Sequence, residues 1–398
     1  MVEVSAVFKT TIKPAARAGL LAALTVLGGC FGFGGGDAPT PDALVTQRDL
    51  STQPDNVKII GEGSVTVTML LPLSAGGSAS GLAQSFENAA DLALKDVATD
   101  NIRVEIRDTG GETDVAKAAA EQAIGNGSRL ILGPVFAEAV RGAAEPARSA
   151  GVPVIAFSTD SSVAGRGVYL LSFLPRQDAT RIVAYAASQG MNSFAALVPN
   201  NNYGLVMEAA FREAVSSAGG RAIAIERYNQ GEIEASAQSL TSRGAFQALF
   251  VPNGGDDPSN AAKIFANAGL SPKLLGSGQW ANKAIISSPA LVGAWYPGPA
   301  PGGFANFSKK YAAAYGSNPP RTASLVYDAT LLANGLVGAR GDGAFRANSL
   351  QTSDGFLGVD GVFRLTRDGL SERGLAVYEV IAGGESKVIS EAPTKFGR

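Results

Sequence analysis

Three short turns carry the side chains best placed to meet a ligand. Ser158-Thr159-Asp160 ends the apolar run Val152 to Phe157, Gly133-Pro134-Val135-Phe136 follows Leu130-Ile131-Leu132, and Pro72-Leu73-Ser74 closes a run that begins at Val65. Hydroxyls and free backbone N–H groups at such turns receive an anionic group well, more so where a helix begins. Ser158 and Thr159 could equally cap a helix or satisfy a turn, and the two roles are not exclusive. Further along, Tyr203 and Gln279-Trp280 offer aromatic faces for stacking on a small solute or a sugar. Trp280 could instead pack against a hinge. A neutral Gln279 cannot neutralise a ligand ammonium group: either the ligand is not a simple α-amino acid, or Asp108, Asp160 or Asp256 compensates. Asp256-Asp257 reads as a solvated loop or helix cap before it reads as a metal site.

Composition removes several alternatives. The chain has 398 residues and no histidine, which excludes Ser-His-Asp and Cys-His catalysis, His-ligated metals and His-based proton switches. Its single cysteine allows neither an internal disulfide nor a multi-thiolate zinc site. No Asp/Glu pair is marked by spacing, so an enzyme using paired carboxylates is not supported. With a net charge of -2 there is no basic excess to suggest nucleic acid. The Gly/Ser turn from Ala75 to Gly81 lacks the Gly-Lys-Ser/Thr of a phosphate loop and does not fit G-x-G-x-x-G. The expectation is a non-enzymatic binding protein with no cofactor and no metal.

The elements that position these turns follow from periodicity. From Arg129 to Asp160 two short apolar runs bracket an Ala-rich helical segment, Ala137 to Ala150, which is a βαβ unit with buried strands. Upstream, Val65, Val67 and Met69 alternate with threonines, and Phe86, Ala89, Ala90, Ala93, Leu94 and Val97 share one helical face. Ile102, Val104 and Ile106 form a second strand ending at Asp108-Thr109-Gly110-Gly111. The rhythm β-α-β-α-β-α-β predicts a doubly wound parallel sheet, with ligands at the carboxyl ends of its strands. After Pro175 the rhythm restarts, with strand ends at Pro199 to Gly204, Pro252 to Gly255 and Gly276 to Trp280. The expected organisation is lobe 1 over 64–174, lobe 2 over 175–282, a return to lobe 1 over 283–350, and a closing hairpin with a C-terminal tail over 351–398. Val362 to Leu365 and Ala376 to Ile381 are the expected hairpin arms, and the residues from Ser386 onward are expected to fray.

Residues 1–29 have the pattern of a signal peptide: Lys9, Lys13 and Arg17, then a short apolar stretch from Ala18 to Leu27. Leu27-Gly28-Gly29-Cys30 resembles the lipobox of bacterial lipoproteins, which implies lipidation of Cys30. Phe31 in the next position favours the outer membrane by the sorting rule of enteric bacteria. Residues 30–63 mix Gly, Pro and polar residues and are expected to be a flexible tether, with an r.m.s. span of roughly 30 Å.

The chain as a whole, over about 64–384, resembles the type I periplasmic binding proteins, specifically the leucine-binding group. The resemblance is carried by Leu71-Pro72-Leu73-Ser74, Ile131-Leu132-Gly133-Pro134, Gly151-Val152-Pro153-Val154-Ile155, Asn202-Tyr203-Gly204, Phe307 to Pro319 and Tyr327-Asp328-Ala329. It implies an α/β fold of two doubly wound, Rossmann-like lobes joined by three crossovers, with a hinge and an interlobe cleft. The ligand-binding residues it implies are Ser74, Phe136, Ser158, Thr159, Asp160, Tyr203, Gln279 and Trp280. It also implies a small polar ligand, amino-acid-like or other, and delivery to an ABC permease. Where amino-acid binders have a serine in the third turn, this chain has Val135-Phe136. The turns Asp108 to Gly111, Gly133 to Phe136 and Phe157 to Asp160 resemble those of lipoproteins that activate penicillin-binding proteins. That likeness implies an alternative partner, a peptidoglycan synthase bound by protein contact. In the enteric members this fold follows a helical-repeat domain, for which 398 residues are expected to leave no room. A sugar-responsive repressor of the same fold is disfavoured by the lipobox and by the lack of a basic helix-turn-helix.

Overall fold

Short apolar runs bounded by glycine turns become strands buried on both faces. The computed structural model describes residues 57–397; the signal peptide, Cys30 and most of the expected tether lie outside them. The first sheet contains β1 (Lys58–Ile60), β2 (Val65–Leu71), β3 (Ile102–Asp108), β4 (Ile131–Leu132), β5 (Val154–Ala156) and β6 (Val168–Leu170), in the order β1-β3-β2-β4-β5-β6. All neighbours are parallel except β1, which runs antiparallel on the edge against β3. The expected tether thus ends earlier than its boundary at 63: Lys58-Ile59-Ile60 find a ladder partner that a Gly-rich local sequence does not advertise.

Helices α1 (Ser78–Lys95), α2 (Thr113–Gly125) and α3 (Ala137–Ala150) connect these strands. α2 and α3 pack through small residues, Ala119 and Ala120 against Val140, Ala143, Ala144 and Ala147. Gly142 completes that face, because a Cβ there would overlap the Thr113 carbonyl oxygen.

Residues 171–174 lead from β6 into α4 (Pro175–Ser188) and the second sheet. This sheet holds β7 (Ser193–Pro199), β8 (Arg221–Tyr228), β9 (Ala248–Phe250), β10 (Lys273–Leu275) and β11 (Trp295–Gly298), with α5 (Asn202–Ser217), α6 (Ile233–Thr241), α7 (Asp257–Asn267) and α8 (Lys283–Ile286) between them. The chain then forms α9 (Gly303–Tyr315), α10 (Ala323–Arg340) and α11 (Ala347–Leu350). The span 283–350 divides between the sheets: β11 pairs with β10, whereas Phe307, Tyr311 and the buried face of α10 join the first core.

The closing strands are β12 (Phe356–Gly358), β13 (Gly361–Leu365), β14 (Ser371–Arg373), β15 (Ala376–Ile381) and β16 (Glu385–Ser390). The two expected hairpin arms fall in different sheets. β13 lies between β12 and β14 in a small three-stranded sheet, while β15 joins the second sheet between β11 and β16. Residues expected to fray instead supply β16. The reason is a tertiary one: Gly374 and Leu375, between β14 and β15, are a crossover from one sheet to another, and local alternation does not encode which sheet a strand joins.

The three crossovers meet around buried charge. Arg373 is 6% exposed; its Nε donates to the Ser172 carbonyl at 3.4 Å, and its guanidinium lies over the rings of Phe173 (4.9 Å) and Phe363 (5.5 Å). Among the described residues neither Nη atom has a hydrogen-bond partner. Asp328 and Asp360, 3% and 1% exposed, supply the opposing field. Asp360 is held by Arg321 and by the Ser324 hydroxyl at 2.8 Å, and Asp328 accepts from the Val359 N–H at 2.8 Å. Burial pushes the Asp328 carboxyl up to about 7, against the pull of Arg373.

The α2–α3 contact gives a direct test. Gly142→Ala should destabilise the fold by about 1–3 kcal/mol, because backbone must move to admit one methyl group. Denaturant unfolding of the variant beside Ala144→Gly, which removes a methyl group from the same face, separates overlap from helix propensity. Equal stability of Gly142→Ala and the parent protein would disprove the overlap.

Candidate functional site

The four-residue connection 171–174 leaves the carboxyl end of β6 and enters the first turn of α4. That turn reaches the carboxyl end of β10, where Asp178 Oδ2 accepts from the Gly278 N–H at 2.8 Å. A single short connection thus links the carboxyl end of a first-sheet strand to the carboxyl end of a second-sheet strand. Doubly wound sheets bind ligands at such edges.

On the first wall, Gly133 takes φ 85°, and a Cβ there would overlap the Leu70 carbonyl, so the turn after β4 demands glycine. This sets Phe136, 38% exposed, beside Gly111, whose backbone approaches the Phe136 ring. Ser74 is exposed nearby, and its N–H donates to Asp108 Oδ1 at 3.1 Å. Burial works against the Asp108 carboxylate, but the Ser74 hydroxyl and the N–H groups of Gly110 and Ser74 outweigh it and hold the carboxyl below its usual range. Ser158 is buried, and its Oγ accepts from the Asp160 N–H at 3.2 Å; Thr159 is exposed. Asp160, not Ser158 or Thr159, is the capping residue of the turn Ser161–Val163, accepting from the Ser162 N–H at 2.9 Å. It also pairs with Arg141 at 3.2 Å. Ser162 and then Arg141 keep its carboxyl below the usual range. Asp108 and Asp160, two of the carboxylates considered for a ligand cation, are thus committed locally.

On the second wall, the Tyr203 hydroxyl donates to the Pro252 carbonyl at 3.2 Å and lies 3.3 Å from Ser277 Oγ. Burial pushes this phenol up to about 12, so it is a neutral donor. Gln279 is exposed, with its amide beside Gly254 and within reach of Tyr203. Trp280 differs from the expectation of a ligand contact. It is fully buried in the second-lobe core, and its indole N–H is shared between the Val251 and Asn253 carbonyls, each at 3.1 Å. Gly276 leaves the space that the indole fills. Asp256 caps nothing with its side chain, and Asp257 accepts from Tyr228 and Asn253, each at 2.6 Å, which makes it a structural acceptor.

The carboxylate that sequence reasoning missed is Asp178. It is half-buried and makes no ion pair among the described residues. Burial pushes its carboxyl up to about 7, opposed by the Gly278 N–H. The usable signal was Pro175 at the first helical position, which puts Asp178 in the first turn.

The whole-chain comparisons bear on the family and the fold. A model of the periplasmic binding protein family matches residues 64–385, and the chain belongs to that family. Its fold is the type I two-lobe arrangement. A Rhodospirillum rubrum protein named for a branched-chain amino acid ABC transporter is 20% identical, with a TM-score of 0.72 over 82% of this chain and 99% of its own. A Rhodopseudomonas palustris solute-binding protein in complex with benzoate (from R. palustris) is 18% identical, with a TM-score of 0.55 over 84% and 98%. A Streptococcus pneumoniae branched-chain amino acid binding protein in complex with isoleucine is 18% identical, with a TM-score of 0.52 over 82% and 99%. No curated protein matches the chain.

The state of Asp178 can be measured. Its folded pKa lies above that of an unfolded carboxyl, so the folded state binds the extra proton and stability falls as pH rises from about 4 to about 7. Asp178→Asn lacks this term. Its advantage over the parent should grow across that window to roughly 1–4 kcal/mol and stay flat above it. A pH-independent difference in denaturant midpoints would place the Asp178 pKa at its ordinary value.

Proposed function

We propose that the protein is an extracytoplasmic solute-binding protein that closes its two lobes on a small polar ligand and presents it to an ABC-type permease. The observation that carries this reading is the pairing of the two walls. One offers Ser74, Phe136, Ser158 and Thr159, and the other offers Tyr203, Gln279 and the unpaired carboxyl of Asp178. Hydroxyls and N–H groups on the first wall suit an anionic or carbonyl group. Phe136 suits a planar or aliphatic body. Asp178 suits an ammonium or other donor, and a cation brought to it would restore its charge and release its proton.

Two relatives that share the fold are named as bound to benzoate and to isoleucine, so the architecture takes both aromatic acids and amino acids. The turn after β4 has no hydroxyl where an amino-acid carboxylate would want one, while Phe136 adds an apolar surface. We therefore favour a ligand with an apolar or planar body and a donor group at the Asp178 end. Cys30 is proposed as the lipidated residue, holding the protein at the cell envelope, with the outer membrane favoured. Contact with a penicillin-binding protein is the second reading. It is favoured by the likeness of the turns Asp108 to Gly111 and Phe157 to Asp160 to those of the activator lipoproteins.

Thermal shift against a panel of amino acids, amines, aromatic acids and sugars tests the transport reading. A ligand that raises the melting temperature should do so more strongly at pH 8 than at pH 5 if it carries a cation. Its affinity should fall at least about tenfold, near 1.4 kcal/mol, in Asp178→Asn. No response across the panel, with capture of a purified penicillin-binding protein, would favour the second reading.

A further inference from the structure

A second concave site lies at the opposite end of the first lobe. It is a cavity of about 1050 Å³ at the amino ends of β4, β5 and β6. Five arginines from five separate segments line it: Arg129 before β4, Arg148 in the last turn of α3, Arg166 before β6, Arg346 before α11, and Arg367 in the turn between β13 and β14. In a chain with a net charge of -2 this concentration is local. Asp342, on the cavity wall, answers only Arg129, at 2.8 Å. Arg148 gives its Nε–H to the Arg166 carbonyl at 3.3 Å, which leaves its charge unneutralised. Among the described residues Arg148, Arg166, Arg346 and Arg367 make no ion pair with an acid.

The fold holds these like charges together. The Leu170 N–H donates to the Gly369 carbonyl at 2.7 Å, and Gly369 has no side chain because a Cβ would overlap the backbone of Gly165 and Val168. That contact presses the Arg367 turn onto the Arg166 turn. The floor is fixed as well: Tyr169, 2% exposed, accepts on its hydroxyl from Gln351 Nε2 at 2.7 Å. All five arginine side chains are exposed, so water and salt screen their mutual repulsion, and what the cavity offers an anion is several guanidinium groups converging from separate segments. Guanidinium forks match phosphate oxygens bidentately, and the volume is that of a small-molecule site.

We infer that this arginine-lined cavity is a second binding site, for a ligand carrying two or more phosphate groups. It is separate from the interlobe cleft, because Arg129 and the cleft turn at Gly133 stand at opposite ends of β4. The diphosphate could be a free solute or the headgroup of a lipid, and the chemistry of recognition is the same for both.

The test uses purified protein with two probes. Inorganic pyrophosphate, titrated calorimetrically, represents the soluble source. Cosedimentation with phosphatidylcholine vesicles, with and without cardiolipin, represents the lipid source. Binding to either probe is expected, weakening as salt rises and weakening at least about tenfold in Arg166→Gln/Arg367→Gln. Pyrophosphate binding alone assigns a soluble ligand, and cardiolipin-dependent sedimentation assigns a headgroup. The free double variant should melt close to the parent temperature, since both side chains are exposed. If it does not fold, Arg346→Gln replaces it. Absence of binding to both probes, or equal binding by parent and variant, overturns the inference.

Discussion

A charged group buried where the chain passes between its two lobes governs this structure. Removing a guanidinium from water costs several kcal/mol unless opposing charge and polarizable surface surround it. Around Arg373 that surrounding comes from every crossover. Ser172 and Phe173 belong to the first. The second arrives beside Val359, whose carbonyl excludes any side chain at Gly303. The third begins at Arg373 itself. Asp328 and Asp360 bring α10 and the turn between β12 and β13 to the same point. Removing either acid would weaken the field that holds the cation, and removing the cation would leave Asp328 without an opposing charge while Asp360 keeps Arg321 and Ser324. The two sheets fold separately in pattern but share this one electrostatic junction.

The cleft inherits its geometry from that junction. The connection into α4 sets Asp178 against the β10 turn, and α4 is anchored in turn by Arg181, whose Nε donates to the Leu375 carbonyl at 2.6 Å in the third crossover. The side chain most suited to a ligand cation therefore sits within a few residues of the hinge. The adaptable residues Thr159, Phe136 and Gln279 lie on exposed turns beyond it. This division suits one conserved architecture serving solutes as different as an aromatic acid and a branched amino acid, because the turns can vary without disturbing the junction.

Much of the fold is legible in the sequence, for a physical reason. Strands buried on both faces are short apolar runs, and their glycine-rich ends mark the carboxyl edges of the sheets, where Ser74, Phe136, Ser158 and Tyr203 lie. What escaped depended on distant partners. Lys58-Ile59-Ile60 is too short and too exposed to show a period, yet it pairs with β3. The runs at 362–365 and 376–381 look like two arms of one hairpin and belong to two sheets. Trp280 occupies a turn that faces the cleft in sequence logic, but the missing Cβ at Gly276 and two backbone carbonyls draw its ring into the core. Asp178 shows no local motif of its own; its place in the first turn of α4 follows only from Pro175 at the helix start.

The connection 171–174 also sets a gauge. Four residues reach at most ~14 Å when fully extended, so near this link the two walls cannot part further, whatever their angle at the rim. The gape of the mouth is set by rotation, whereas the depth beside Asp178 is set by the length of chain. A change in the angle between the lobes therefore opens the rim far more than the base beside the connection.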